Sequence, residues 1–218
     1  MSKLTGPLLS MGARGAIGKT LVASTWKGQP YMRQYVIPAN PQTSEQSLTR
    51  TAFSFLNALW LVSPALFRAP WAAAAVGQKY TDRNKLQSSN LPLLRPAADC
   101  QDFIASPGSL GGLPLDSMTA VTGTTPGGFD WTATPPSSPT GWTLAGVTIV
   151  AFPDQDSADA FGGPIVAAED TTSTYGGNLG GLPESTLCVV CAFPRWTRPD
   201  GRTAYGPSIN TTVTTDAT

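Results

Sequence analysis

Apolar and polar positions alternate in two short runs early in the chain, Thr20 to Trp26 and Tyr31 to Ile37, joined by Lys27-Gly28-Gln29-Pro30. Period-two runs rich in β-branched and aromatic residues around a Gly/Pro turn predict a β-hairpin. In the first strand Thr20, Val22, Ser24 and Trp26 share one side and Leu21, Ala23 and Thr25 the other, so neither side is cleanly polar. A lone two-stranded ribbon is marginal in water, so this one must pack on something, another chain included. Ahead of it, residues 1–17 are Gly-rich and weakly periodic and predict an arm that orders against a partner.

The period changes after Pro41. Thr43 with Gln46 forms a capping box, Glu45 suits a first turn, and Leu48, Ala52, Phe55, Leu56, Leu59 and Val62 recur at helical spacing, which predicts a helix over Ser44 to Val62. A second helix, Ala65 to Tyr80, follows Pro64, carries Leu66, Trp71, Ala74 and Ala75, and is bent at Pro70. The short connection predicts an antiparallel pair, with Phe53, Phe55, Trp60, Phe67 and Trp71 as core or subunit contacts.

From Thr81 to about Asp116 the pattern loosens into an expected extended crossing segment, with a short strand near Phe103-Ile104 and a boundary near Gly111-Gly112. Beyond it come Phe129 to Thr134, Gly146 to Phe152, Thr186 to Phe193 and Ser208 to Thr215, with Asp200-Gly201 as a hairpin turn. Strands so spaced, with no helical period, predict an antiparallel β-sandwich of about 100 residues. The expected fold class is α+β: an arm at 1–17, a β-hairpin plus helix-pair docking domain at 18–85, an extended linker at 86–114 and a β-sandwich at 115–218.

Charge changes this picture. Residues 1–100 hold 11 Lys/Arg against three acids, and residues 101–218 hold three Arg against 11 acids. Either two unrelated domains have different surfaces, or the basic end docks on an acidic surface while the acidic end faces solvent. Lys3, Arg14, Lys19, Lys27 and Arg33 are spread out rather than gathered into a phosphate-binding stripe, which disfavours nucleic acid. Gly 22 and Pro 20 in 218 residues signal turns and extended segments rather than a helical protein.

Candidate chemistry is thin. With no histidine, triad hydrolysis and most zinc sites fall away, and no metal or cofactor is expected. Ala13 to Thr20 fits a relaxed phosphate-loop pattern, but LVASTW reads as a strand where such a loop must open a helix. Cys188 and Cys191 stand three apart in a predicted strand, which turns the thiols to opposite faces, so they neither bond nor share a metal. Asp154, Asp156 and Asp159 gather in a predicted loop as solvated charge, or as a calcium site that lacks the EF-hand spacing. Asn210-Thr-Thr212 matches a glycosylation acceptor, relevant only to a secreted eukaryotic chain. Met1-Ser2-Lys3 leads into Gly and Pro without the apolar block of a secretory leader, and Pro64, Arg68 and Pro70 interrupt the apolar stretch from Phe53 to Val76, so no membrane span is expected.

Gly18-Lys19, Trp26-Lys27-Gly28, Tyr31-Met32-Arg33, Val36-Ile37-Pro38-Ala39-Asn40-Pro41-Gln42-Thr43 and then Arg50, Phe53, Trp60 and Trp71 resemble the signature of a little-characterised protein family of tailed bacteriophages and prophages. The C-terminal part resembles the fibronectin type III or immunoglobulin-like modules appended to virion surface proteins. Phe129-Asp-Trp131-Thr resembles their second strand and Leu182 to Ala192 their sixth, with Leu187 where a tyrosine is usual. The resemblance implies a non-enzymatic virion protein assembled in the bacterial cytoplasm, a homo-oligomer whose partners are capsid, neck or tail proteins. Capsid decoration or a head fibre comes first, neck, tail or baseplate attachment second. Trp26, Lys27, Tyr31, Arg33 and Asn40 are the expected docking residues, unless Trp26 and Tyr31 fill the protein's own core. The competing reading is a host-glycan or receptor-binding module, with Trp142, Tyr175, Trp196 and Tyr205 on exposed loops.

Overall fold

A computed structural model describes residues 15–26, 29–37, 39, 42–95, 100–108, 113–155 and 161–217. The chain divides into two compact units, Met1–Gln42 and Thr43–Thr218.

The first unit is a three-stranded antiparallel sheet, β1 (Gly15–Ile17), β2 (Leu21–Trp26) and β3 (Gln29–Gln34), in that order. Two features depart from expectation. The end of the predicted arm is β1, which folds back on β2 through Gly18-Lys19-Thr20, with Gly18 at φ +59°. Pairing of Trp26 with Gln29 makes Gln29 and Pro30 part of β3, leaving Lys27 and Gly28, outside the described residues, as the loop. Gly18-Lys19 therefore links two strands, and the phosphate-loop reading fails for want of a helix.

The second unit opens on α1 (Ser44–Val62), whose first turn is capped where Gln46 N donates to Thr43 Oγ1 at 3.4 Å. At its other end Arg68 stacks over the Trp60 ring at 5.2 Å and donates to the Trp60 carbonyl at 2.8 Å, joining Ser63 N and Oγ on that last-turn carbonyl. The chain then turns by 112° into α2 (Ala65–Ala75), which stops short of the expected Tyr80. Where a crossing segment was expected stands a third helix, α3 (Asp82–Leu94), capped by Thr81 and packed on both others. Arg83 and Gln87 both donate to Asn57 Oδ1, tying α3 to α1.

Eight strands follow: β4 (Ser117–Thr122), β5 (Phe129–Thr134), β6 (Thr143–Pro153), β7 (Val166–Asp170), β8 (Gly176–Leu179), β9 (Leu187–Thr197), β10 (Thr203–Tyr205) and β11 (Ile209–Thr214). One sheet runs β4-β5-β8; the other runs β10-β9-β6-β7, with β11 on the same edge of β9 as β10. The predicted second and sixth sandwich strands are β5 and β9. β9 runs four residues past the expected Phe193, through Pro194. Gly206 N donates to the Pro194 carbonyl, so this proline's missing donor faces the gap between β10 and β11 and costs no ladder bond.

β6 and β9 are buried on both faces, because two cores lie against them. Between the sheets pack Phe129, Trp131, Val147, Ile149, Val190, Ala192 and Val213. On the other face Val150, Phe152, Val189, Cys191 and Phe193 meet Phe55, Leu59, Phe67, Trp71 and Leu86 of the helices. Residues 43–218 are thus a helix layer on a two-sheet sandwich, so the expected 18–85 docking domain is divided between the two units, and its helices share one unit with the expected 86–114 linker and 115–218 sandwich. The linker's middle is held inside it. Phe103 is fully buried, 6.1 Å from Phe67 and 5.2 Å from Phe152 between ring centroids, and Ile104, no strand residue, pairs its main chain with the Asn90 side chain. Gly111-Gly112, the expected boundary, lies outside the described residues.

Candidate docking surface

The strand register sorts the first unit's side chains. Val22 pairs with Arg33 and Ser24 with Tyr31, while Tyr35 N donates to the Thr20 carbonyl at 2.7 Å, so Val22, Ser24, Tyr31, Arg33 and Tyr35 share one side. Leu21, Ala23 and Met32 share the other. That mixed character matches the alternation in the sequence. Ala23 is the unit's one buried apolar side chain among the described residues, while Tyr31 is 41% exposed, Met32 49%, Val36 68% and Ile37 75%. Leu21 and Tyr35 are exposed as well. A unit whose described residues include one small buried apolar side chain and six exposed large ones has apolar surface left to bury.

Of the expected docking residues, the sheet brings Tyr31 and Arg33 together on one side of β3, both exposed. Tyr31 is therefore no core residue here. Trp26 ends β2, with its side chain outside the described residues, as are Lys27 and Asn40. Sequence reasoning missed Tyr35 and Met32; the period-two pattern it had already recognised places Tyr35 in the Tyr31-Arg33 row.

The edge of β3 is less open than its faces. Since Tyr35 bonds inward to β2, the odd-numbered positions of β3 face β2 and the main chain at Pro30, Met32 and Gln34 faces outward. Pro30 thus lacks a donor on the outer edge, where proline discourages edge-on pairing.

The other candidates resolve individually. Cys188 lies in the inter-sheet core and Cys191 in the helix-side core, on opposite faces of β9 as the spacing predicted; both are free thiols. Burial, with the Asp154 carboxylate adding, pushes Cys188 up to about 11, and burial with nearby Cys100 pushes Cys191 higher, so neither is a thiolate nucleophile at neutral pH. Asp154 accepts from Cys100 N at 2.8 Å and Gln101 Nε2 at 3.3 Å, a structural role, and Asp156 and Asp159 lie outside the described residues. Among the described residues no three His, Cys, Asp or Glu are placed to hold a metal, and no single helix is long and apolar enough to cross a membrane.

The proposed glycan aromatics separate too. Trp196 is buried, Tyr205 packs against the helix-side core and edge-on to Phe193, and Tyr175 packs on the inter-sheet core. Trp142 alone of the four packs outside both cores and remains partly exposed, under the Arg198 guanidinium at 5.2 Å.

No family model and no curated protein matches the chain. Among solved structures it is similar to the fn3 domain of the human collagen alpha-1(XX) chain, at 18% identity and TM-score 0.36, over 52% of this chain and 93% of that one. It is also similar to the third fibronectin III domain of the human KIAA0343 protein, at 20% identity and TM-score 0.36, over 52% of this chain and 95% of that one. The assignment of the sandwich rests on the strand order given above.

Proposed function

We propose that this is a non-enzymatic attachment protein of a tailed-phage particle, which docks through its hairpin unit and displays the helix-backed sandwich. The observation that carries the reading is the hairpin unit itself, whose exposed Leu21, Tyr31, Met32, Tyr35, Val36 and Ile37 stand against one buried alanine among the described residues. Apolar surface of that extent, with tyrosines and an arginine in a row, has the composition of an interface centre. The phage setting comes from the resemblance of residues 12–90, and within it decoration of the capsid or a head fibre is favoured over neck, tail or baseplate. The glycan-binding alternative is weaker, since Trp196, Tyr205 and Tyr175 serve the cores.

The test is a mass-spectrometric count of the protein in purified particles against the major capsid protein. Copies in the hundreds place it on the capsid lattice, and about five to a few dozen, as vertex and tail symmetries require, move it to a vertex, neck or tail. Its absence from particles would overturn the proposal.

A further inference from the structure

The docking partner can be specified further. Residues 1–42 contain five Lys/Arg and no carboxylate, while residues 43–218 contain nine Lys/Arg against 14 Asp/Glu, so the two units carry formal charges of +5 and −5. We propose that the hairpin unit of one copy seats on the Thr43–Thr218 unit of a second copy, head to tail, with Tyr31, Arg33 and Tyr35 in the contact. This rests on the reading of the hairpin as the docking element and gives it a second partner beside the particle's own proteins.

Two features choose that occupant over others. First, pairing two hairpin units symmetrically would bring +5 against +5, whereas the second unit of a neighbour offers the opposite sign. Second, edge-on pairing of β3 with another β3 meets Pro30, whose missing donor lies on that outer edge. Nucleic acid, which the charge alone would also attract, gains nothing from exposed Leu21, Met32, Val36 and Ile37. A heterologous contact of this kind closes into a ring or runs on as a filament.

The experiment is sedimentation velocity on the nuclease-treated full chain over a range of concentrations, at about 0.05 and about 0.5 M salt, which spans strong to weak screening. A fluorescently labelled Tyr31→Ala/Arg33→Glu variant, with unchanged thermal unfolding, is run alone and mixed with excess unlabelled wild type. The expected result is wild-type association beyond the monomer that weakens about tenfold or more at high salt, as charge-dominated contacts do. The labelled variant is monomeric alone yet carried into the larger species by wild type, because it keeps the acceptor surface. Wild type that stays monomeric throughout, association indifferent to salt, association lost on nuclease treatment, or a labelled variant left behind as monomer each overturns the proposal, the last by showing hairpin-to-hairpin pairing. A chain that fails to self-associate but still mounts on particles defeats this proposal alone; one that does neither defeats the attachment reading as well.

Discussion

Thr215, just beyond β11, holds the corner between β8 and β9. Its hydroxyl donates to the Pro183 carbonyl at 2.6 Å and accepts from Thr186 N at 3.0 Å, within a residue only 2% exposed. Leu187, where the resemblance led to a tyrosine being expected, is exposed, and Thr215 closes the turn from the other side. Thr215→Val keeps the shape and orphans both partners, and should lower unfolding free energy by roughly 1–3 kcal/mol, seen as a lower urea midpoint at unchanged slope. A shift within measurement error would remove Thr215 from this role. Asp170 makes a pH-dependent contribution. Burial raises its pKa, but hydrogen bonds from Thr172 N, Thr172 Oγ1 and Gly176 N outweigh that and hold the carboxyl below its ordinary value. A folded pKa below the unfolded one means stability that is present above the unfolded value and lost as pH falls through the folded value. Asp170→Asn should therefore destabilise at neutral pH and converge with wild type in acid; a pH-independent difference would contradict this. At this scale the sequence was legible where period two decided the matter, as for Cys188 and Cys191. It was not legible for Trp196 and Tyr205, whose burial depends on what covers the sheet.

Among the elements, α1 was legible in cap and length from Thr43 to Val62, and Ala52, Phe55, Leu56 and Leu59 of its expected stripe are buried while Leu48 and Val62 are exposed. α3 was hidden by its own core stripe. Leu86, Asn90 and Leu94 recur at helical spacing, but the middle one is polar and Pro92 lies in the last turn, so the segment does not read as amphipathic. Asn90 is fully buried because its amide takes the place of a strand partner for Ile104, accepting from Ile104 N at 2.7 Å and donating to its carbonyl at 3.1 Å. Asn90→Leu should cost about 2 kcal/mol or more by orphaning that main chain, despite being the better helix former. Native-state hydrogen exchange should show Ile104 losing protection first; unchanged protection would contradict the clamp.

For the whole molecule, the helix layer is the feature that local pattern could not reveal. β6 and β9 read as apolar runs whether one face or both are covered by something else in the chain, and only the fold shows that helices cover the second face. The same closure makes residues 43–218 self-sufficient, so a chain starting at Thr43 should unfold cooperatively at a midpoint close to that of the full chain. A molten or unfolded product would show that the hairpin unit is structural rather than a docking element. The central claim concerns that unit, and the most direct measurement is re-addition of purified full-length chain, wild type and Tyr31→Ala/Arg33→Glu, to particles lacking the protein. The account predicts saturable binding of wild type and a loss of about tenfold or more in affinity for the variant, as for removal of an interface anchor, with thermal stability unchanged. Equal binding of the two proteins would contradict it.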